Sequence, residues 1–132
     1  MKVTADTNIL IRAIVNDDPR QSPRAQAELE KADLIALPLP ALCEFVWVLA
    51  QGYRIPNSEI ADAVRGLVGS ANVVTDRPSV EAGLAMLDGG GDFADGVIAY
   101  MGRSLGGETF LSFDKLATRR LHAQGVAVQL LA

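Results

Sequence analysis

Two stretches of the sequence share one arrangement, in which a short apolar strand ends in an aspartate and continues directly into a helix. The first is MKVTADTN, where Val3 and Ala5 alternate with polar residues before Asp6. The second is TFLSF at 109–113, which is followed at once by Asp114. Open α/β sheets place their ligands and catalytic groups at the carboxyl ends of their strands. The two aspartates are therefore the first candidates for functional residues.

The rest of the chain continues the alternation of strands with helices. Apolar runs bounded by turn residues predict further strands at 34–37, 72–75 and 126–131. Apolar residues at helical spacing predict a helix after residue 8, one beginning near 57, and others at 20–31, 39–51, 79–87, 93–105 and 115–124. The helix at 93–105 is expected to bury Val97, Ile98, Tyr100, Met101 and Leu105. Together these elements predict an α/β fold, a single domain over 1–132 with a central parallel sheet of about five strands and helices on both faces.

The composition limits the classes of protein that fit. Hydrophobic residues make up 49% and charged residues 21% of the chain, which is typical of a globular domain. The net charge of −4 argues against binding nucleic acid by bulk charge alone, but not against a metal-dependent nuclease with an acidic centre. The single cysteine, the absence of a secretion-signal pattern and the lack of a membrane-length apolar run lead us to expect a cytoplasmic protein without a membrane segment.

Glu44 is the only ionisable residue in the apolar segment ALCEFVWVLA. Its neighbours on a helical face, Ala41, Trp47 and Val48, cannot pair with it. A buried carboxylate without a partner is energetically costly, so such a group is normally protonated, paired or bound to a metal. Two alternatives remain open: one edge of the helix reaches water, or a distant arginine pairs with Glu44.

Asp92 and Asp95 are spaced three residues apart, which places both carboxylates on one side of a helix start. A structural interpretation also fits, because Asp92 could cap this helix and Asp95 would then lie in its first turn. The same alternative applies to Asp6 or Asn8 and to Asp114 at the starts of their helices.

The carboxylates nevertheless form a coherent set. Lys115 and Arg119 could neutralise Asp114, but two strands ending in aspartate, with further acids on a helix face and a helix start, favour one acidic centre. Crowded carboxylates repel each other unless a cation is present, and oxygen-only ligands suit Mg²⁺ or Mn²⁺.

With these acidic motifs in this order, the chain resembles the PIN-domain family, and in particular the small VapC-type ribonuclease toxins of toxin–antitoxin pairs. Four pieces in matching order carry the resemblance: Asp6-Thr7-Asn8, Glu44, Asp92-Phe93-Ala94-Asp95 and Ser112-Phe113-Asp114. Two positions depart from the family pattern, which often has Thr in place of Ser112 and usually has Ala in place of Gly96. A glycine within a helix costs up to about 1 kcal/mol relative to alanine, so Gly96 is expected to loosen the helix start.

The resemblance implies a PIN-like fold and a metal-dependent endoribonuclease that hydrolyses RNA phosphodiester bonds through a water activated by Mg²⁺ or Mn²⁺. The implied catalytic and metal-binding residues are Asp6, Glu44, Asp95 and Asp114. The implied auxiliary residues are Asp92 and the polar side chains that would orient the carboxylates, namely Thr7, Asn8 and Ser112.

The partners implied by the resemblance are an RNA substrate, a cognate VapB-type antitoxin and a second copy of the chain in a homodimer. Trp47 and Tyr53 could line an antitoxin groove, although core packing is the expected role of Trp47. Two alternatives stay open: a PIN-fold nuclease of RNA processing that has no antitoxin, and a catalytically silent binding module with the same fold.

Overall fold

The computed structural model describes all of residues 1–132, and the chain divides into two compact units, Met1–Asp76 and Arg77–Ala132. The elements of the first unit are β1 (Lys2–Thr4), α1 (Thr7–Ile14), α2 (Gln21–Lys31), β2 (Leu34–Ala36), α3 (Leu39–Trp47), a π-helical turn (Val48–Gly52), α4 (Asn57–Val68) and β3 (Val73–Val74). The three strands form a parallel sheet in the order β1-β2-β3, in which Val3 lies opposite Ile35 and Ile35 opposite Val73.

The second unit contains α5 (Arg77–Asp88), α6 (Phe93–Ser104), β4 (Phe110–Ser112), α7 (Lys115–Ala123) and β5 (Val128–Leu130). Strands β4 and β5 pair in parallel, with Leu111 opposite Gln129. A parallel pair needs a crossover connection, and α7 provides it.

Each unit has an apolar interior supplied mainly by its helices. In the first unit the most deeply buried side chains are Leu10, Leu42, Phe45, Leu49, Ile60 and Val64. In the second unit they are Val80, Leu84, Met86, Phe93 and Leu121. These residues recur at helical spacing along their elements, so the burial follows directly from the amphipathic pattern.

The structure confirms the α/β fold class, with five parallel-paired strands and helices that flank them. It differs from the expectation of one five-stranded sheet, because the strand hydrogen bonds join the strands as a group of three and a group of two. The helix expected at 39–51 also changes character at Val48, where the Tyr53 N–H donates to the Val48 carbonyl in the longer-range pattern of a π-helix. No helix has the length and apolar character that crossing a membrane would require. The single-domain organisation stays a prediction.

The expected buried side of α6 is wrong for most of its residues. Only Val97 of the five is buried, whereas Ile98 is 56% and Leu105 87% exposed. The side of α6 that packs on α5 instead carries Phe93, Gly96 and Val97. Two apolar stripes run along this helix, and the stripe that contains glycine permits the closer approach of the α5 backbone.

Candidate active site

Asp6 lies directly beyond β1 and caps the first helix. The backbone N–H of Asn8 donates to Asp6 Oδ1 at 2.8 Å, and the residue has the extended backbone conformation typical of an N-cap. The side chains of Thr7 and Asn8 form no hydrogen bond with a carboxylate, so it is a backbone group that holds Asp6 in place. The orienting role of the Thr7 and Asn8 side chains stays a prediction.

Glu44 lies on the exposed face of α3 and forms no ion pair. The buried side of this helix is formed by Leu42, Phe45 and Val46. Of the alternatives that the sequence left open, the structure shows the one in which an edge of the helix reaches water. Glu44 therefore has no desolvation cost to offset, and its carboxylate is accessible to a ligand from solvent.

Asp92 and Asp95 occupy the start of α6 in different environments. Asp92 is exposed and is the N-cap, since its Oδ1 accepts from the Ala94 N–H at 3.2 Å. Asp95 lies one turn further along, is half-buried, and accepts no hydrogen bond. The cap interpretation is thus confirmed for Asp92, while Asp95 has no structural partner.

Asp114 follows β4 and caps α7 with two hydrogen bonds. Its Oδ1 accepts from the N–H groups of Leu116 and Ala117, both at 3.0 Å. The Asp114 N–H in turn donates to Ser112 Oγ at 2.9 Å, so the serine hydroxyl fixes the backbone of Asp114. Lys115 does not neutralise the carboxylate, because Asp114 forms no salt bridge.

The charges of Asp92 and Asp114 both act on Asp95 in the second unit. Burial is the main cause that raises the pKa of Asp95, and the negative charges of Asp92 and Asp114 raise it further. A cation near Asp95 would favour the charged form of this carboxylate. The sequence predicted that Asp114 joins these acids from the strand–aspartate pattern and from the family resemblance, whereas local spacing connects only Asp92 with Asp95.

The family model of the PIN domain matches residues 3–120, which is most of the chain. The chain belongs to the PIN domain family. The PIN domain is a nuclease-type fold, and its members are typically metal-dependent nucleases that hydrolyse phosphodiester bonds. No curated protein gives a significant match with the sequence. The membership therefore establishes the fold family, and it supports the general activity of a nuclease-type hydrolase.

The acidic groups of this PIN domain suit a divalent cation in their donor chemistry. Asp6, Asp92 and Asp114 each use only Oδ1 for the cap, and their Oδ2 atoms accept no hydrogen bond. Capping and metal binding are thus compatible roles for one carboxylate. The side chains do not yet form a complete cage, because no three acidic, histidine or cysteine side chains are arranged as ligands of one ion. Carboxylates with water as further ligands are the usual environment of Mg²⁺.

Two aromatic residues of the PIN domain differ in their surroundings. The expectation that Trp47 packs in the core is wrong, since its side chain is 62% exposed. The sequence held a signal for this, because Trp47 follows Glu44 by three residues and shares its helical face. Tyr53 instead belongs to a hydrogen-bonded cluster, in which its hydroxyl donates to Asp17 Oδ2 at 3.0 Å and lies 3.5 Å from Arg12 Nη1.

Proposed function

We propose that this chain is a metal-dependent endoribonuclease and the toxin component of a VapC-type toxin–antitoxin pair. The observation that supports this most strongly is the match to the PIN domain over residues 3–120, with Asp92, Asp95 and Asp114 as a set of acids at two of its helix starts. Such a group has the oxygen donors of a Mg²⁺ or Mn²⁺ site and no histidine that would serve as a general base instead. The resemblance to VapC-type toxins adds Asp6 and Glu44 to the ligand set that we propose.

Each residue has a definite task in this proposal. Asp95 and Asp114, with Asp6 and Glu44 as the resemblance implies, would hold the cation, and Asp92 would contribute further negative charge. A bound divalent cation supplies charge stabilisation at the phosphodiester and makes a water molecule more acidic. The Ser112 hydroxyl oxygen accepts a hydrogen bond from the Asp114 backbone N–H and so holds Asp114 in place.

Substrate binding requires positive charge near an acidic centre. Lys115 and Arg119 are both exposed, form no ion pair, and lie on the helix that Asp114 caps. Their spacing of four residues places them on one face of α7. By contrast, Arg12 and Arg24 are paired with Asp17 and Glu28. We therefore assign phosphate contacts to Lys115 and Arg119.

The test is cleavage of total RNA by the purified protein in Mg²⁺, in Mn²⁺ and in EDTA. Asp95→Asn is the active-site variant, and Asp62→Asn is its control, because Asp62 is an exposed acid on α4 without an ion pair. Cleavage that needs metal, survives in Asp62→Asn and disappears in Asp95→Asn supports the nuclease. Cleavage that persists in EDTA or in Asp95→Asn contradicts the proposed centre.

The toxin role needs a separate experiment. Induced expression of the wild-type chain should stop bacterial growth, whereas Asp95→Asn should not. We propose that a small antitoxin is encoded next to the chain; its co-expression should restore growth, and the antitoxin should co-purify with a homodimer of the chain. RNA cleavage without growth arrest would instead indicate a PIN nuclease of RNA processing, and the absence of both would indicate a silent binding module.

A further inference from the structure

Trp47 is an exposed aromatic side chain beside one of the carboxylates in the proposed ligand set. It is the last residue of α3 and lies three positions after Glu44, which is also exposed. Residues at this spacing are neighbours on a helix surface, with about 5–6 Å between their Cβ atoms. A flat indole face is thus available to solvent about one helical turn from Glu44.

On its own helical segment Trp47 is not part of an extended apolar patch. The residues three and four positions away are Cys43, Glu44, Ala50 and Gln51, of which Glu44 and Gln51 are exposed. A surface that binds a folded protein partner usually surrounds its aromatic anchor with further apolar residues. A single exposed aromatic ring with exposed polar neighbours such as Glu44 and Gln51 is instead typical of the platforms on which unpaired nucleotide bases stack.

The helix beneath the indole is firmly held. Leu42, Phe45, Val46 and Leu49 anchor the opposite side of the segment, and each is at most 3% exposed. The Val48 N–H donates to the carbonyls of both Glu44 and Phe45, which ties the residue after Trp47 into the helix. The backbone positions from which the indole and the Glu44 carboxylate extend are therefore well defined, which favours a role in positioning a substrate.

A positive charge lies at the end of the same segment. Arg54 follows the π-helical turn, is exposed, and forms no ion pair. Its backbone has φ of 55°, a left-handed conformation that is uncommon outside glycine. An unpaired arginine that follows this segment is a candidate for a contact with the phosphates of a nucleic acid.

From these observations we infer that Trp47 is a substrate-positioning residue, on which one unpaired base of the RNA stacks about one helical turn from Glu44. This inference rests on the proposed ribonuclease function. The contact requires an unpaired base, because the bases of a duplex are already stacked on their neighbours and cannot reach the indole. The contact carries little sequence preference, since every base has a π-face.

Because Trp47 is the only tryptophan of the chain, its fluorescence reports the contact directly. The Asp95→Asn protein, which should not cleave, is titrated with a single-stranded 12-nucleotide RNA of mixed sequence in Mg²⁺, and with a duplex of the same length. Saturable quenching by the single strand and weak quenching by the duplex are expected. Wild-type protein is assayed for cleavage in parallel.

Cleavage kinetics provide the second measurement. Trp47→Leu removes the aromatic ring but keeps an apolar side chain, and should raise KM about tenfold while kcat stays within about twofold. Trp47→Phe keeps a ring and should restore most of the affinity. Ile14→Ala is the control, because Ile14 is an exposed apolar residue at the far end of α1 from Asp6 and should leave KM unchanged.

The outcomes separate this inference from the proposed function. Wild-type cleavage without quenching, or with an unchanged KM in Trp47→Leu, refutes the stacking role and leaves the nuclease intact. Loss of antitoxin binding in Trp47→Leu with unchanged KM makes Trp47 a protein contact and also refutes it. Failure of the wild-type protein both to cleave and to bind RNA refutes the proposed function itself.

Discussion

Replacing Gly96 by alanine should destabilise the protein, although alanine is the better helix former. Gly96 lies on the side of α6 that packs against α5, and a Cβ atom there would stand 2.4 Å from the Ala82 carbonyl oxygen and 2.9 Å from Met86 Cγ. The nearest atom belongs to the backbone, so it cannot move away by a side-chain rotation. The two helices would have to separate to admit the methyl group.

The two opposing contributions give the size of the effect. Alanine in place of glycine stabilises a helix by up to about 1 kcal/mol. Overpacking a well-packed interface costs roughly 1–3 kcal/mol. The same interface has no spare room on its other side, because a Cβ at Gly83 would stand 2.5 Å from a ring atom of Phe93. The overpacking cost should therefore exceed the helix gain, and we expect a net loss of about 1–2 kcal/mol.

Urea denaturation followed by far-UV circular dichroism in EDTA measures this difference. Gly102→Ala is the matched control on the same helix, because a Cβ there would meet no atom within 4 Å. It should raise the free energy of unfolding by about 0.5–1 kcal/mol. A Gly96→Ala protein as stable as wild type would show that α5 and α6 are not in the close contact described, and that the glycine merely loosens the helix start as the sequence suggested.

Two further predictions concern the carboxylates. Asp114→Asn keeps an N-cap acceptor, whereas Asp114→Ala removes it, so the alanine variant should be about 1 kcal/mol less stable than the asparagine variant in thermal unfolding. Both variants should lose RNA cleavage. Equal stabilities of the two variants would contradict the cap. The raised pKa of Asp95 means that its contribution to stability is full below the ordinary value of 3.8 and is lost as the pH rises through the native pKa. In EDTA the stability of Asp95→Asn relative to wild type should therefore increase from pH 4 to pH 7, and a difference that does not vary with pH would contradict the raised pKa.

Most of the fold could be predicted from the sequence, because strands and helices produce recognisable patterns over a few neighbouring residues. The alternation in MKVTADTN and the apolar run TFLSF specify strands, and the aspartate after each one specifies a helix start. Asp6, Asp92 and Asp114 are N-caps in the structure, so that interpretation is confirmed for all three. It does not exclude a metal site, since each cap leaves one carboxylate oxygen without a hydrogen bond.

The exposure of individual side chains could not be predicted from local sequence patterns. The segment around Glu44 is apolar on most of its surface, so its sequence does not show which side of the helix packs against the rest of the protein. The structure leaves Glu44 and Trp47 exposed, and it buries Gly96 rather than Ile98 on α6. Both results depend on how close neighbouring backbones come, which is a property of packed elements.

The sequence by itself determined the strand–aspartate–helix units, the order of the acidic residues and the caps, because each depends on groups a few residues apart. Only the tertiary structure decided that Asp95 is half-buried beside the charges of Asp92 and Asp114, since Asp114 is 19 positions away and comes near only when α6 and α7 pack. The electrostatic character of the candidate site follows from desolvation and from charges that are distant in the chain, and neither has a local signature in the sequence.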